Sequence, residues 1–204
     1  MPKNYISNKD ETVRMFRNDL LESLSRVHWS VPLIIYLPVI AYLFYLSGGV
    51  FGIWQIGFYF ILGLIVWTFT EYALHRFVFH YEPESEIGRR LHFIMHGVHH
   101  DYPNDSKRLV MPPSVSVPLA LFFILFISIY WEIRRSIRFF AGFLSGYLIY
   151  DMTHYAVHHL RIKNKFWLMI KKHHMRHHYK DATKGFGVSQ KTWDVIFKTD
   201  FIDS

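Results

Sequence analysis

Ten of the 14 histidines fall into four short clusters: His75 and His80 in HRFVFH, His96, His99 and His100 in HGVHH, His154 and His158 in HYAVH, and His174, His177 and His178 in HMRHH. Imidazole nitrogen suits zinc and iron. Side chains at i, i+3 and i+4 share one helix face, so HGVHH, HYAVH and HMRHH each present their imidazoles together. His75 and His80 are five apart, about 140° around a regular helix, and reach one centre only if the helix ends or loosens between them. Ten neutral donors exceed the four of a structural zinc site and the six of an octahedral ion. Two adjacent metal ions are the economical solution. Without metal, such crowding would bring like-charge repulsion whenever two rings were protonated. His28, His92, His159 and His173 read as ordinary capping, solvated or core residues.

Other chemistries fit less well. Cysteine is absent, which removes disulfides, thiolate-bound zinc, iron–sulfur clusters and Cys-ligated haem. Bis-His haem would need histidines deep within facing membrane helices, whereas these sit at helix ends. No HExxH or HxxEH occurs, so a zinc peptidase would lack its general base. A non-enzymatic alternative, a histidine-rich membrane metal-binding or transport protein, should carry ionisable ligands near the bilayer midplane. The positions here favour an enzyme.

The clusters must be positioned by membrane-length elements. The chain has 204 residues, 51% hydrophobic and 19% aromatic, with the apolar residues gathered in blocks rather than stripes, as lipid-facing segments require. Four spans are expected at about 31–47, 51–70, 115–131 and 137–157, forming two hairpins of an all-α integral membrane protein. Only the second comfortably reaches the roughly 20 residues needed to cross. Pro38 is expected to kink the first span, and Gly48 and Gly49 to make a tight return after it. Asp151 and His154 lie inside the fourth block, which leaves Ile137–Tyr150 as its lipid-facing part and suggests a shallow second hairpin. Residues 1–30 read as an N-terminal cytoplasmic or interfacial segment without a cleavable signal. In it Val13, Phe16, Leu20, Leu24 and Val27 trace the stripe of an amphipathic interfacial helix. Residues 31–204 form the membrane domain, with a histidine cap made by 71–110 and 154–204.

Of the 23 Lys and Arg residues, only Arg134, Arg135 and Arg138 fall in the loop opposite the clusters. The charge asymmetry places both termini and the cap in the cytoplasm: at the endoplasmic reticulum in a eukaryote, at the inner membrane in a bacterium. The net charge of +7 reflects this bias and attraction to anionic lipid; no nucleic-acid motif accompanies it.

HRFVFH, LHFIMHGVHHDYPNDSKRLVMPP, DMTHYAVHH, KKHHMRHHY and GFGVSQKTWD resemble the fatty acid hydroxylase superfamily, and in particular the fatty acid 2-hydroxylases. The histidine boxes are shared with sterol and acyl desaturases and methyl oxidases. Arg108–Pro113, Gly185–Val188, Trp193 and Asp194 narrow the resemblance to the 2-hydroxylases. It implies that the ten clustered histidines hold two metals, iron in the working enzyme, with zinc able to occupy the site in isolated protein. O2 is the implied co-substrate and a membrane fatty acid, ceramide or sphingolipid the implied substrate. Some family members carry a fused cytochrome b5 domain; here the expected donor is a separate protein, such as cytochrome b5 or ferredoxin with its reductase. His174 is taken over His173 because it keeps HxxHH.

The expected reaction removes a hydrogen from the carbon beside the acyl carbonyl and returns hydroxyl, consuming one O2, two electrons and two protons. Neutral imidazoles leave the metal charge uncancelled and the centre electrophilic. An acyl-lipid or sterol desaturase is the alternative, since the boxes alone do not separate the two. Phe, Tyr and Met near the boxes are expected to line the substrate path. Asp151 and Glu71, each about one turn before a clustered histidine, could fix His154 and His75. Tyr155 could donate to the reacting oxygen or belong to the interfacial aromatic belt. Gly185 and Gly187 permit a turn that folds the C-terminal segment back over the metals.

Overall fold

The structure, a computed structural model, describes residues 6–48 and 52–201. The described residues are all-helical, without a strand. Helices α1 (Asp19–Leu24), α2 (Val31–Ser47) and α3 (Ile53–Leu74) lead into a π-helical turn, His75–Phe79. After α4 (Glu86–His92) a second π turn, Phe93–Gly97, feeds α5 (Val98–Asp101). Helices α6 (Pro113–Tyr130), α7 (Ile133–His159), α8 (Lys165–Tyr179) and α9 (Thr192–Ile196) complete the chain. Helix α2 runs on through Pro38. Gly49, half of the expected return after α2, lies outside the described residues.

Two stretches are long and apolar enough to cross a membrane: Ile53–Phe79, of 27 residues, and Pro113–Tyr130, of 18. Their large apolar side chains point outward. Phe58 is 63% exposed and Leu125 67%, the pattern of helices solvated by lipid rather than buried in a soluble core. The apolar α2 is shorter, at 17 residues.

Helix α7 holds the centre. Phe139, Phe140, Phe143, Leu144, Tyr147 and Leu148 are buried against Tyr36 and Ile40 of α2 and Trp67 of α3. The Ile137–Tyr150 stretch is therefore largely enclosed by neighbouring helices rather than lipid-facing, because its sisters α2, α3 and α6 supply the apolar exterior. Close approach of α3 and α7 depends on two glycines. A Cβ on Gly63 would lie 1.9 Å from the Phe139 carbonyl oxygen, and one on Gly142 would lie 1.9 Å from that of Phe60. Small residues at such crossings let backbones meet, a main source of helix association where water is absent. Trp67 then packs edge-on against Phe143, with centroids 5.0 Å apart. Tyr36 donates to Ser116 Oγ at 2.9 Å, tying α2 to α6.

The N-terminal segment departs from the expected interfacial helix. Only Asp19–Leu24 is helical, capped by Asn18, whose side chain accepts from Leu20 N and Leu21 N. Upstream, the amides of Met15 and Phe16 donate to Glu22 Oε2, each at 2.9 Å, so they are unavailable to a helical ladder. Arg108, whose side chain is buried, bonds the Val13 carbonyl and pairs with Glu22 at 2.8 Å. Ser7 N donates to the Asp101 carbonyl and Thr12 Oγ1 to Asp105. The segment is thereby laced to the 101–108 loop.

Candidate metal centre

The end of α3, the two π turns, α5, the end of α7 and α8 deliver their histidines to one place. His75, His80, His96, His100 and His177 form one cage; His99, His154, His158, His174 and His178 form a second, and within each the ligand nitrogens lie within 4.8 Å of one another. Helical spacing divides the boxes between cages. His96 and His100, at i and i+4, go to the first and His99 to the second; His174 and His178 go to the second and His177 to the first. The His75–Phe79 π turn, with His80 N donating to the His75 carbonyl at 3.1 Å, loosens the helix between these two histidines so that both reach one cage. Such single π turns recur at functional sites. The cages share a wall, where His100 stacks on His178 with centroids 4.3 Å apart.

Ring nitrogens meet at the cage centres. In the first, His75 Nε2 lies 3.0 Å from that of His96 and 3.2 Å from that of His80, and His177 Nε2 lies 2.9 Å from that of His80. In the second, His154 and His99 approach to 2.9 Å and His158 and His174 to 3.0 Å. The Nδ1 atoms of His75 and His177 face the carbonyls of Phe186 and Lys184 at 2.5 and 2.7 Å. Donation there leaves each Nε2 a bare lone pair, since a neutral imidazole carries one N–H. Burial first, and neighbouring imidazoles after it, hold His96, His99, His174, His177 and His178 well below the ordinary histidine pKa. Converging neutral lone pairs call for a cation. At a metal–nitrogen length of about 2.1 Å, ligands at right angles sit about 3.0 Å apart, matching the observed edges. The residues present fit two ions.

A C-terminal strap buttresses the first cage. Gly185 adopts φ +70°, a left-handed conformation that suits glycine, and turns the chain so that Phe186 packs against His75, His80 and His177. Two buried carboxylates pin it. Asp194 accepts from Phe186 N at 2.9 Å, Gly187 N at 2.7 Å, Thr199 Oγ1 at 2.7 Å and His173 Nε2 at 3.1 Å. Burial pushes the Asp194 pKa up, but the bonds from His173, Thr199, Gly187 and Phe186 outweigh it and hold the group below the ordinary carboxylate value. Glu71 accepts from Val188 N and Ser189 N, both at 2.8 Å, and from Ser189 Oγ at 2.5 Å. In the second cage, by contrast, the buried Nδ1 atoms of His158, His174 and His178 have no hydrogen-bond partner among the described residues.

Two expected contacts are not made, and Tyr155 lies away from the cages. Glu71 does not fix His75 directly; the Phe186 carbonyl occupies that Nδ1, and Glu71 holds the strap that carries the carbonyl. Asp151 does not bond His154; it is fully buried and its Oδ1 accepts from Met111 N at 3.3 Å. Tyr155 stacks on Trp29 and His159, with centroids 5.7 and 4.8 Å away, outside both cages, because its place on α7 turns it toward the N-terminal segment. His173 faces Asp194, while His174 Nε2 enters the second cage. Sequence reasoning missed the strap's two carbonyls and the clamp by Asp194, although GFGV and Trp193-Asp194 had drawn attention as a segment.

A cavity of about 400 Å³ opens onto the cages. His96, His99 and His154 form its inner wall, Phe79, Met95, Met111 and Tyr150 its apolar sides, and Met15 and Phe16 of the N-terminal segment help to close it. Its volume is that of a small-molecule site.

A family model described as fatty acid hydroxylase matches residues 60–199. The dihydroceramide fatty acyl 2-hydroxylase FAH1 of Arabidopsis thaliana is 36% identical over 198 residues, covering 93% of this chain and 80% of that protein. The fatty acid 2-hydroxylase of Mus musculus is 37% identical over 215 residues, covering 92% and 56%. The ceramide very long chain fatty acid hydroxylase SCS7 of Saccharomyces cerevisiae is 40% identical over 191 residues, covering 89% and 48%. Among solved structures, full-length scs7p, of which only the hydroxylase domain is visible, superposes with a TM-score of 0.86. It shares 38% identity over 92% of this chain and 71% of that one.

Proposed function

Since the chain belongs to the fatty acid hydroxylase family, we propose that it hydroxylates the 2-position of a membrane acyl lipid, a fatty acid or the acyl group of a ceramide. Two five-imidazole cages opening onto one apolar cavity carry this reading. The ten histidines would hold two metal ions, iron in the active protein, which when bound supply the reduction of O2 and the oxidising power to break an unactivated C–H bond.

The protein's own part is binding and placement. Phe79, Met95, Met111 and Tyr150 receive an acyl chain and exclude water, and the wall of His96, His99 and His154 sets which carbon meets the centre. The strap keeps His75 and His177 in the tautomer that presents Nε2 inward, the role outer carbonyls and carboxylates serve at metal-bound histidines. Helices α2, α3, α6 and α7 cross the bilayer in two hairpins with the cap in the cytoplasm, a topology supported by the outward apolar faces and the Lys and Arg bias. Electrons arrive from a cytoplasmic donor such as cytochrome b5 or ferredoxin with its reductase.

The test is mass spectrometry of lipids from a host expressing the wild type or His96→Ala. New 2-hydroxy acyl lipids present with the wild type and lost in the variant support the reaction. New double bonds in place of hydroxyl groups would make the protein a desaturase.

A further inference from the structure

A second cavity, of about 490 Å³, lies where α7 gives way to α8. Its floor is the apolar stripe Ile149, Met152, Ala156 and Leu160, and Trp167 of α8 forms one side. At 100° per residue these four positions fall within about 80° of one another, on the side of α7 opposite His154 and His158. The groove is thus separated from the catalytic cavity by the helix itself. Here α7, enclosed through its middle, surfaces again, with Ile149 47% and Leu160 53% exposed.

The rim is basic. Arg161 and Lys163 line it, no Asp or Glu does, and both cations are exposed. Neither forms an ion pair or hydrogen bond with another of the described residues. An apolar trough ending in two free cations, with an indole beside them, is complementary to an amphiphile with an anionic head. Tryptophan prefers the level where hydrocarbon meets head groups, and basic side chains there attract acidic lipid.

We propose that this groove binds one anionic phospholipid of the cytoplasmic leaflet. An acyl chain lies along the α7 stripe, and the phosphate meets Arg161 and Lys163. The site is distinct from the substrate cavity and rests on the membrane topology proposed above, not on the reaction.

The experiment uses the full chain in nanodiscs of phosphatidylcholine containing a minor share of phosphatidylglycerol. Lipid retained on the protein after gentle release is identified by native mass spectrometry. The wild type should retain phosphatidylglycerol well above its share. Because each basic side chain near a charged surface contributes roughly fivefold in partition, Arg161→Gln with Lys163→Gln should abolish the enrichment. Met152→Trp, which fills the trough and leaves the charges, should also reduce it. Arg89→Gln with Arg90→Gln, which removes the same charge elsewhere, should leave it intact. Unchanged enrichment in the groove variants, or equal loss in the Arg89 and Arg90 control, overturns the proposal. So does a wild-type dimer that the groove variants dissociate without change in bound lipid, which would make the groove a self-interface. Metal content and monodispersity, unchanged in each variant, separate these outcomes from misfolding and from any failure of the hydroxylase reading.

Discussion

Replacing Asp194 with Asn should cost one metal ion before it costs the fold. Each Asp194 oxygen accepts two donors: Oδ1 from Phe186 N and Thr199 Oγ1, Oδ2 from Gly187 N and His173 Nε2. Whichever way the asparagine amide turns, its NH2 opposes a backbone N–H that cannot reorient, and the remaining bonds lose their charge. One buried donor left unmet and weakened bonds at the others together cost about 3 kcal/mol. The loss falls on Lys184–Val188, the strap whose Phe186 and Lys184 carbonyls hold the Nδ1 atoms of His75 and His177. Both belong to the first cage. Loss of such outer partners weakens metal affinity by about 10- to 100-fold, so the first-cage ion should leave at lower chelator concentration while the second stays. The assay is metal per chain across a graded chelator series, with thermal unfolding in parallel. Thr199→Val, which removes one Asp194 partner and spares both strap amides, should behave much closer to wild type. Equal retention of both ions in Asp194→Asn, or their simultaneous release from protein that remains folded, would refute the reasoning.

Gly142→Val should force α3 and α7 apart, because even its Cβ would sit 1.9 Å from the Phe60 carbonyl oxygen; a loss of about 3 kcal/mol or more should appear in denaturant unfolding in detergent. Arg108→Met removes the buried partner of Glu22 and the donor to Val13, at a cost of about 3 kcal/mol, and should expose the 7–18 segment to limited proteolysis. In metal-free protein, the cage histidines have folded pKa values below the unfolded value of about 6.5, so the unfolded chain binds more protons. Stability should therefore be full above that pH and fall as the pH drops below it, a loss that denaturant titrations between neutral and mildly acidic pH would detect and a flat profile would contradict.

The histidine boxes were legible because ligand spacing is local: i, i+3 and i+4 on one helix declare a shared face before any tertiary contact is known. Even the break between His75 and His80 was implied, since two side chains five apart converge only if the helix widens, and a π turn supplies that. Partners more than a hundred residues away were not legible. Nothing local to Glu71 indicates Val188 and Ser189, and nothing local to His75 indicates the Phe186 carbonyl. The place of α7 was obscured by Asp151 and His154, which suggested a shallow span with a lipid-facing stretch; its aromatic run is enclosed because α2, α3 and α6 carry the apolar exterior. The stripe from Val13 to Val27 has helical periodicity, yet Glu22 takes the amides of Met15 and Phe16, and the helix shrinks to a turn and a half.

The most direct measurement is turnover of the purified, iron-loaded protein in lipid, with reductant and isotopically heavy dioxygen, followed by mass spectrometry of the acyl product. Hydroxylation at the 2-position predicts one heavy oxygen atom on the carbon next to the carbonyl, and none with His96→Ala. A product carrying oxygen from water, hydroxylation elsewhere along the chain, or a double bond with no added oxygen would contradict it.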